Sequence, residues 1–185
     1  MDVPVNKPCQ ADLVVREPLN SDEDIDFRLI ELLFFAYRDF TGDADVILER
    51  YGFGRAHHRV LHFVNRDPGM TIADLLDLLQ ITKQSLSRVL RQLIEGDFIA
   101  LQPGTEDRRQ RRLYPTSKGR ALTLELSRAQ VRRIDAARAA CETARAGFDL
   151  ASVSSFLFQM SVETASTRSW FDKKGIDGKA DDEQR

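Results

Sequence analysis

The chain is short of the residues that cross-link or anchor a protein. Of its 185 residues, two are cysteine (Cys9 and Cys141) and one is tryptophan. Two cysteines cannot build a disulfide framework. Long apolar runs are also missing. LLFF at 32–35 is typical of those present, so no stretch reads as a membrane span. The opening MDVPVNKPCQADLVV has no basic stretch followed by an apolar core. It does not read as a secretory signal, and a cytoplasmic location is expected. Catalytic signatures are lacking as well: there is no Gly-x-Ser-x-Gly elbow, no P-loop and no His-Glu-x-x-His pair. An enzyme is therefore not expected, and no cofactor is called for.

What remains is a balance of 42% hydrophobic and 30% charged residues, ordinary for a soluble globular chain. The length suits one domain, or a small module with helical extensions. Net charge is only −2, but it is unevenly spread. Residues 1–50 carry five basic and twelve acidic side chains, while residues 82–120 carry nine basic and four acidic. The segments on either side of the basic stretch balance, with three of each sign over 51–81 and ten of each over 121–185. Within the basic segment, PGTEDRRQRRLYPTSKG at 103–119 holds four arginines and a lysine. Positive charge gathered in one segment is the footprint of a nucleic-acid reader. The duller alternative is a solvated charged face.

Periodicity predicts a mostly helical chain. Residues 1–23, with Pro4, Pro8 and Pro18, read as a flexible arm, and 172–185 as a polar tail. From Asp24 to about Phe40, Ile25, Leu29, Leu32, Leu33 and Phe40 recur at helical spacing, widened by Phe34, Phe35 and Tyr37. A helix this apolar needs a partner surface. YGFG at 51–54 reads as a flexible entry to a helix over 55–66, stopped by Asp67-Pro68-Gly69. Thr71 and Asp74 fit a capping box, followed by Ile72, Leu75, Leu76 and Leu79 at helical spacing. After a short turn at Gln80-Ile81, Leu86, Val89, Leu90 and Leu93 repeat the pattern. Gln84, Arg88 and Arg91 fall opposite that stripe, with Ser87 at its flank. Two short helices joined by a tight turn, the second polar on its free face, form a helix-turn-helix pattern.

Phe98 to Leu101 reads as a strand, Pro103-Gly104 opens a hairpin loop, and Arg111 to Tyr114 returns, with Pro115 confined to an edge or strand end. The arginines thus sit on the tip and return strand of a hairpin beside the second helix: the wing of a winged helix. Arg111 and Arg112 alternate across the strand, so at most one faces a nucleic acid. A further helix is predicted from Thr116-Ser-Lys-Gly119 past Ala140. A last one is predicted from about Leu150 to Phe171, with Val153, Phe156, Leu157, Met160 and Thr164 in step.

The helix pair TIADLLDLLQITKQSLSRVLRQLI, followed by FIALQPGTEDRRQRRLYPTSKG, resembles the MarR family of bacterial winged-helix regulators. Asp107, Arg109, Thr116 and Gly119 match that family's wing pattern in register. FGRAHHRVLHFV followed by GMTIADLL is similar to its PetP-like branch. The chain departs in two places. Pro115 stands where leucine is usual, and Gly96 falls one place early, leaving Asp97 where the helix-ending glycine is expected.

The resemblance implies a winged helix over about 55–116, with dimerisation helices over about 24–40 and 117–171. It also implies a homodimer on pseudo-palindromic double-stranded DNA, usually a repressor relieved by a small-molecule or other signal. By residue it places DNA contacts on Thr82, Lys83, Gln84, Ser85, Ser87, Arg88 and, a turn further along, Arg91. Arg109, Arg108 and Arg111 would contact DNA from the wing, with Asp107 organising it. Tyr37, Phe40, Phe53, His57 and Phe63 could line an effector cleft, or simply a core. The alternative from another class is a winged-helix protein-interaction module.

His58 and His62 stand one helical turn apart, a spacing that can hold a metal. With Val60, Leu61 and Phe63 around them, His57, His58 and His62 read rather as lining a cleft or surface, and no metal site is expected. Cys9, in the Pro-flanked arm, reads as a passive thiol rather than a redox sensor. Cys141 reads as a small packing residue.

Overall fold

A computed structural model describes residues 25–104, 110–144, 147–161 and 164–176. The elements are α1 (Phe27–Glu49), α2 (Arg55–Arg66), α3 (Ile72–Leu79), α4 (Lys83–Glu95), β1 (Ile99–Pro103), β2 (Arg111–Pro115), α5 (Ser117–Ala144), α6 (Leu150–Met160) and α7 (Ala165–Lys174). Cys9 and most of the C-terminal tail lie outside the described residues. The described residues up to Arg38 and those from Asp39 form separate compact units. In the first, α1 exposes Leu29, Ile30, Leu32, Phe34, Phe35 and Tyr37.

The second unit holds the core. Leu48, Leu61, Leu75, Leu86, Leu93, Ile99, Leu113 and Leu126 are its largest fully buried side chains, drawn from seven different elements. Each such leucine contributes roughly 1.5–3 kcal/mol by leaving water. The stripes read on α3 and α4 are the ones that turn inward: Leu75 and Leu79 on α3, and Leu86, Val89, Leu90 and Leu93 on α4. β1 and β2 form an antiparallel pair with Ile99 opposite Pro115 and Pro103 opposite Arg111, so Pro115 does end a strand. Thr71 bridges Arg112 on the far side of β2. Gly69 N–H donates to Leu113 O (2.7 Å) and Leu113 N–H to Met70 O (2.9 Å). The segment before α3 therefore adds an isolated bridge to the outer edge of β2.

Three expectations need correction. The first helix does not stop near Phe40 but continues to Glu49. Beyond Phe40 the sequence looks polar, yet Thr41, Ala44 and Leu48 share one helical face and are buried. YGFG is an ordered aromatic junction rather than a flexible entry. Phe53 N–H donates to Leu48 O (3.1 Å), and the rings of Tyr51 and Phe53 meet Phe98 at centroid distances of 5.4 and 5.1 Å. Finally, the single helix expected over 150–171 is two. Thr164, expected on its apolar stripe, instead begins α7: its Oγ1 accepts the N–H of Thr167.

The junction between α4, β1 and α5 explains the two departures in the sequence. Gly96 sits at an unremarkable φ of −81°. Asp97 takes the left-handed turn instead, at φ 59°, a conformation that Asp adopts more readily than most residues. Thr116 Oγ1 donates to Asp97 O (2.7 Å) and accepts from Gly119 N–H (3.0 Å), tying the start of α5 to the end of α4.

Candidate nucleic-acid interface

The turn between α3 and α4 is closed by atoms from three places. Gln80 adopts φ 51°, in the left-handed region, and its N–H donates to Leu76 O (2.9 Å). The last carbonyls of a helix lack partners within it. Here Leu79 O accepts from Arg59 Nη2 on α2 (3.1 Å), and Asp77 O accepts from the Gln80 side chain and from Ser166 Oγ on α7 (3.0 Å). α4 then starts at a proper cap: Thr82 Oγ1 accepts Ser85 N–H (3.2 Å) and donates to Ser85 Oγ (2.9 Å).

With its aliphatic side buried, α4 turns Thr82, Lys83, Gln84, Ser85, Ser87, Arg88 and Arg91 to solvent. Six of these, Lys83 to Ser85 with Ser87, Arg88 and Arg91, line one open groove. Among the described residues, the side chains of Lys83, Gln84, Arg88 and Arg91 have no ion pair and no hydrogen bond. Forked and single donors of one charge sign are thus presented together with nothing neutralising them, which suits contact with an array of acceptors such as phosphates and base edges.

On the wing, the backbone pairing extends to Gly104 N–H, which donates to Gln110 O (2.8 Å). Arg111 and Arg112 separate as the strand pleat requires. Arg111 is exposed. Arg112 turns back, and its Nη1 donates to Gly69 O (2.8 Å). Asp107, Arg108 and Arg109 lie outside the described residues.

Of the residues named for a cleft, Phe53 and His57 meet each other, while Phe63 packs on another neighbour. Phe53 stacks on His57 (4.5 Å, 8° between planes) and meets Phe98 edge-on at 5.1 Å. Phe63 packs edge-on against Trp170 at 4.9 Å. Six residues along a helix place His57 and Phe63 about 120° apart, which sends them to different neighbours. Phe40 is half-buried and Tyr37 exposed on α1. His57 is a structural residue. Its Nδ1 accepts Gly54 N–H (3.1 Å), so Nε2 carries the proton and donates to Gln92 Oε1 on α4 (2.9 Å). Burial lowers the pKa of His58, opposed by Asp45, and burial also lowers that of His62, helped by His58 and Arg66. Both rings are therefore held toward the neutral form. No group of three or more potential metal ligands occurs among the described residues. Cys141 is a half-buried free thiol on α5.

Several positioning residues carry no motif. Arg59, Gln92, Asn65 and Ser166 act through bonds to distant partners. Asn65 Nδ2, for example, donates to Thr123 Oγ1 on α5 (2.9 Å). Nothing in the sequence singled out Asn65 or Gln92, because α2 and α4 carry many other polar side chains.

A helix pair with a free cationic face, followed by a hairpin wing and flanked by long helices, defines a winged helix-turn-helix protein. A sequence model of the MarR family matches residues 51–110. The HTH-type transcriptional regulator PetP of Rhodobacter capsulatus is 52% identical over 120 residues, covering 64% of this chain and 72% of that protein. The chain belongs to the MarR family, and within it is similar to PetP. Solved structures agree on the fold. A MarR protein from Peptoclostridium difficile superposes with a TM-score of 0.63 at 17% identity, over 85% of this chain and 99% of that one. A SlyA-like transcription regulator from Listeria monocytogenes gives 0.54 at 18%, over 82% and 96%. The curated relative is a transcriptional regulator rather than an enzyme. Among the described residues no helix is long and apolar enough to cross a membrane.

Proposed function

We propose that the protein is a sequence-specific regulator that binds double-stranded DNA as a homodimer on a pseudo-palindromic site, acting as a repressor relieved by a small-molecule or other signal. The observation that carries this reading is the unpaired face of α4, where Lys83, Gln84, Arg88 and Arg91 stand exposed along one groove. α4 enters a major groove, and the wing reaches the adjoining minor groove with Arg111, Arg109 and Arg108, Asp107 serving as organiser. Dimerisation is supported by apolar side chains left uncovered: Leu32, Phe34 and Phe35 on α1, Val131 and Ile134 on α5, and Phe156, Leu157 and Met160 on α6. Covering them calls for an interface above ~2,000 Å², the obligate range.

The test is binding to duplexes selected from a random pool, measured against salt, with sedimentation in parallel. The expected result is a palindromic consensus, affinity falling steeply with salt, and a dimer at micromolar concentration. No duplex binding at low salt would favour a protein-interaction module instead. A stable folded monomer would remove the homodimer.

A further inference from the structure

α7 lies across the DNA-binding lobe and touches it at both ends. At its first turn, Ser166 Oγ donates to Asp77 O in the last turn of α3 (3.0 Å). Trp170 then meets the Phe63 ring of α2 edge-on at 4.9 Å. At its last turn, Lys173 Nζ pairs with Asp67 (2.6 Å), the residue that ends α2, while Lys174 Nζ donates to Arg66 O (2.6 Å) and lies 5.0 Å from the Trp170 ring centre. Two ammonium groups at a helix C-terminus meet the negative end of its dipole and its unpaired carbonyls. α7 is thus tied to the closing turns of both α2 and α3. The second tie falls on the carbonyl that Gln80 also holds, three residues before the turn that launches α4.

We infer that α7 is a latch on the helix-turn-helix: when docked it fixes the α3–α4 turn and so the presentation of α4, and DNA affinity is linked to its docking. The DNA part of this rests on the function proposed above. The physical basis is that an element bonded to both α2 and α3 resists their relative motion, and α4 follows α3 through a turn whose last α3 carbonyls, among the described residues, are held by Gln80, Arg59 and Ser166. Docking and DNA binding then favour the same state, and the coupling is reciprocal.

The chain's single tryptophan is the reporter. In the full chain, Ser166→Ala and the double variant Lys173→Ala, Lys174→Ala loosen the latch without removing a core side chain. Without DNA, both should make Trp170 more accessible to acrylamide and speed amide exchange about fivefold or more over residues 76–86, leaving the amides around Leu122 and Leu126 unchanged. With a selected duplex, affinity should fall about threefold to tenfold, and saturating duplex should restore wild-type quenching. Faster quenching with unchanged exchange at 76–86 would overturn the latch, because α7 would then be packing only. Faster exchange with affinity within about twofold of wild type would overturn its link to DNA binding. If the wild type binds no duplex at all, the DNA reading fails, while the exchange result still decides whether α7 holds the turn.

Discussion

Gly119 lies so close to the backbone carbonyl of Phe98 that a Cβ on it would overlap the carbonyl oxygen. Its backbone is not in the left-handed region, so the requirement is for space. It lets α5 start against Phe98, the residue just before β1, while Thr116, three residues earlier, caps the helix and donates to Asp97 O. The Thr-x-x-Gly spacing that is legible in the sequence is therefore one device: a cap and a point of close approach.

Gly119→Ala should destabilise the fold by about 2–3 kcal/mol, because backbone rather than a flexible side chain must move, despite the better helix propensity of alanine. Thr116→Ala should cost about 1 kcal/mol as a lost cap. Urea denaturation of both variants checks this. A Gly119→Ala protein as stable as wild type would disprove the close approach.

Arg111 and Arg112 should fail in opposite ways. Arg112→Ala removes the bond to Gly69 O that helps hold the segment bridged to β2. It should lower stability by about 1–2 kcal/mol. Arg111→Ala should leave stability within about 0.5 kcal/mol. It should weaken binding to all duplexes alike and reduce the salt slope by about one. Paired denaturation and salt titrations separate the two.

Arg88→Ala should cost about 1–3 kcal/mol of DNA affinity and relax preference at one or two positions of each half-site. Arg91→Ala, a turn nearer the end of α4, should act through phosphate alone and leave the preference profile unchanged. Single-base variants of the selected duplex provide the readout. A base-specific loss for Arg91 with none for Arg88 would mean that α4 docks in another register.

Stability should fall on mild acidification. His58 and His62 have pKa values lowered by burial, so their neutral forms are favoured in the fold. The stabilisation is complete above the ordinary histidine value of about 6.5 and is lost as pH falls through the lower folded values. Urea midpoints measured between pH 8 and 5 should decline, and His58→Gln should flatten the decline. A midpoint that is flat or rises toward pH 5 would contradict the burial of these rings.

The lobe was largely legible in the sequence because its signals are local. The capping box at Thr71 and Asp74, the leucine stripes of α3 and α4, the hairpin and the Asp97 substitution are all read within a few residues of themselves. The rest depends on partners far away in the chain. α1 continues past Phe40 because Ala44 and Leu48 find a core, which their polar neighbours conceal. Tyr51 and Phe53 are ordered by Phe98, which lies more than forty positions on. That both ring nitrogens of His57 are bonded was hidden because one partner, Gln92, lies 35 positions on. The α6–α7 break turns on whether Thr164 caps a helix or continues one, and threonine can do either.

The Ser166–Asp77 bond spans 89 positions. During synthesis, α3 and α4 leave the ribosome well before the atom that completes their connecting turn. The turn can therefore form first on Gln80 and Arg59 and be secured afterwards by α7. Interactions made that late slow unfolding more than they speed folding. Ser166→Ala should therefore speed unfolding of the lobe more than it slows folding, a difference that stopped-flow rates would show.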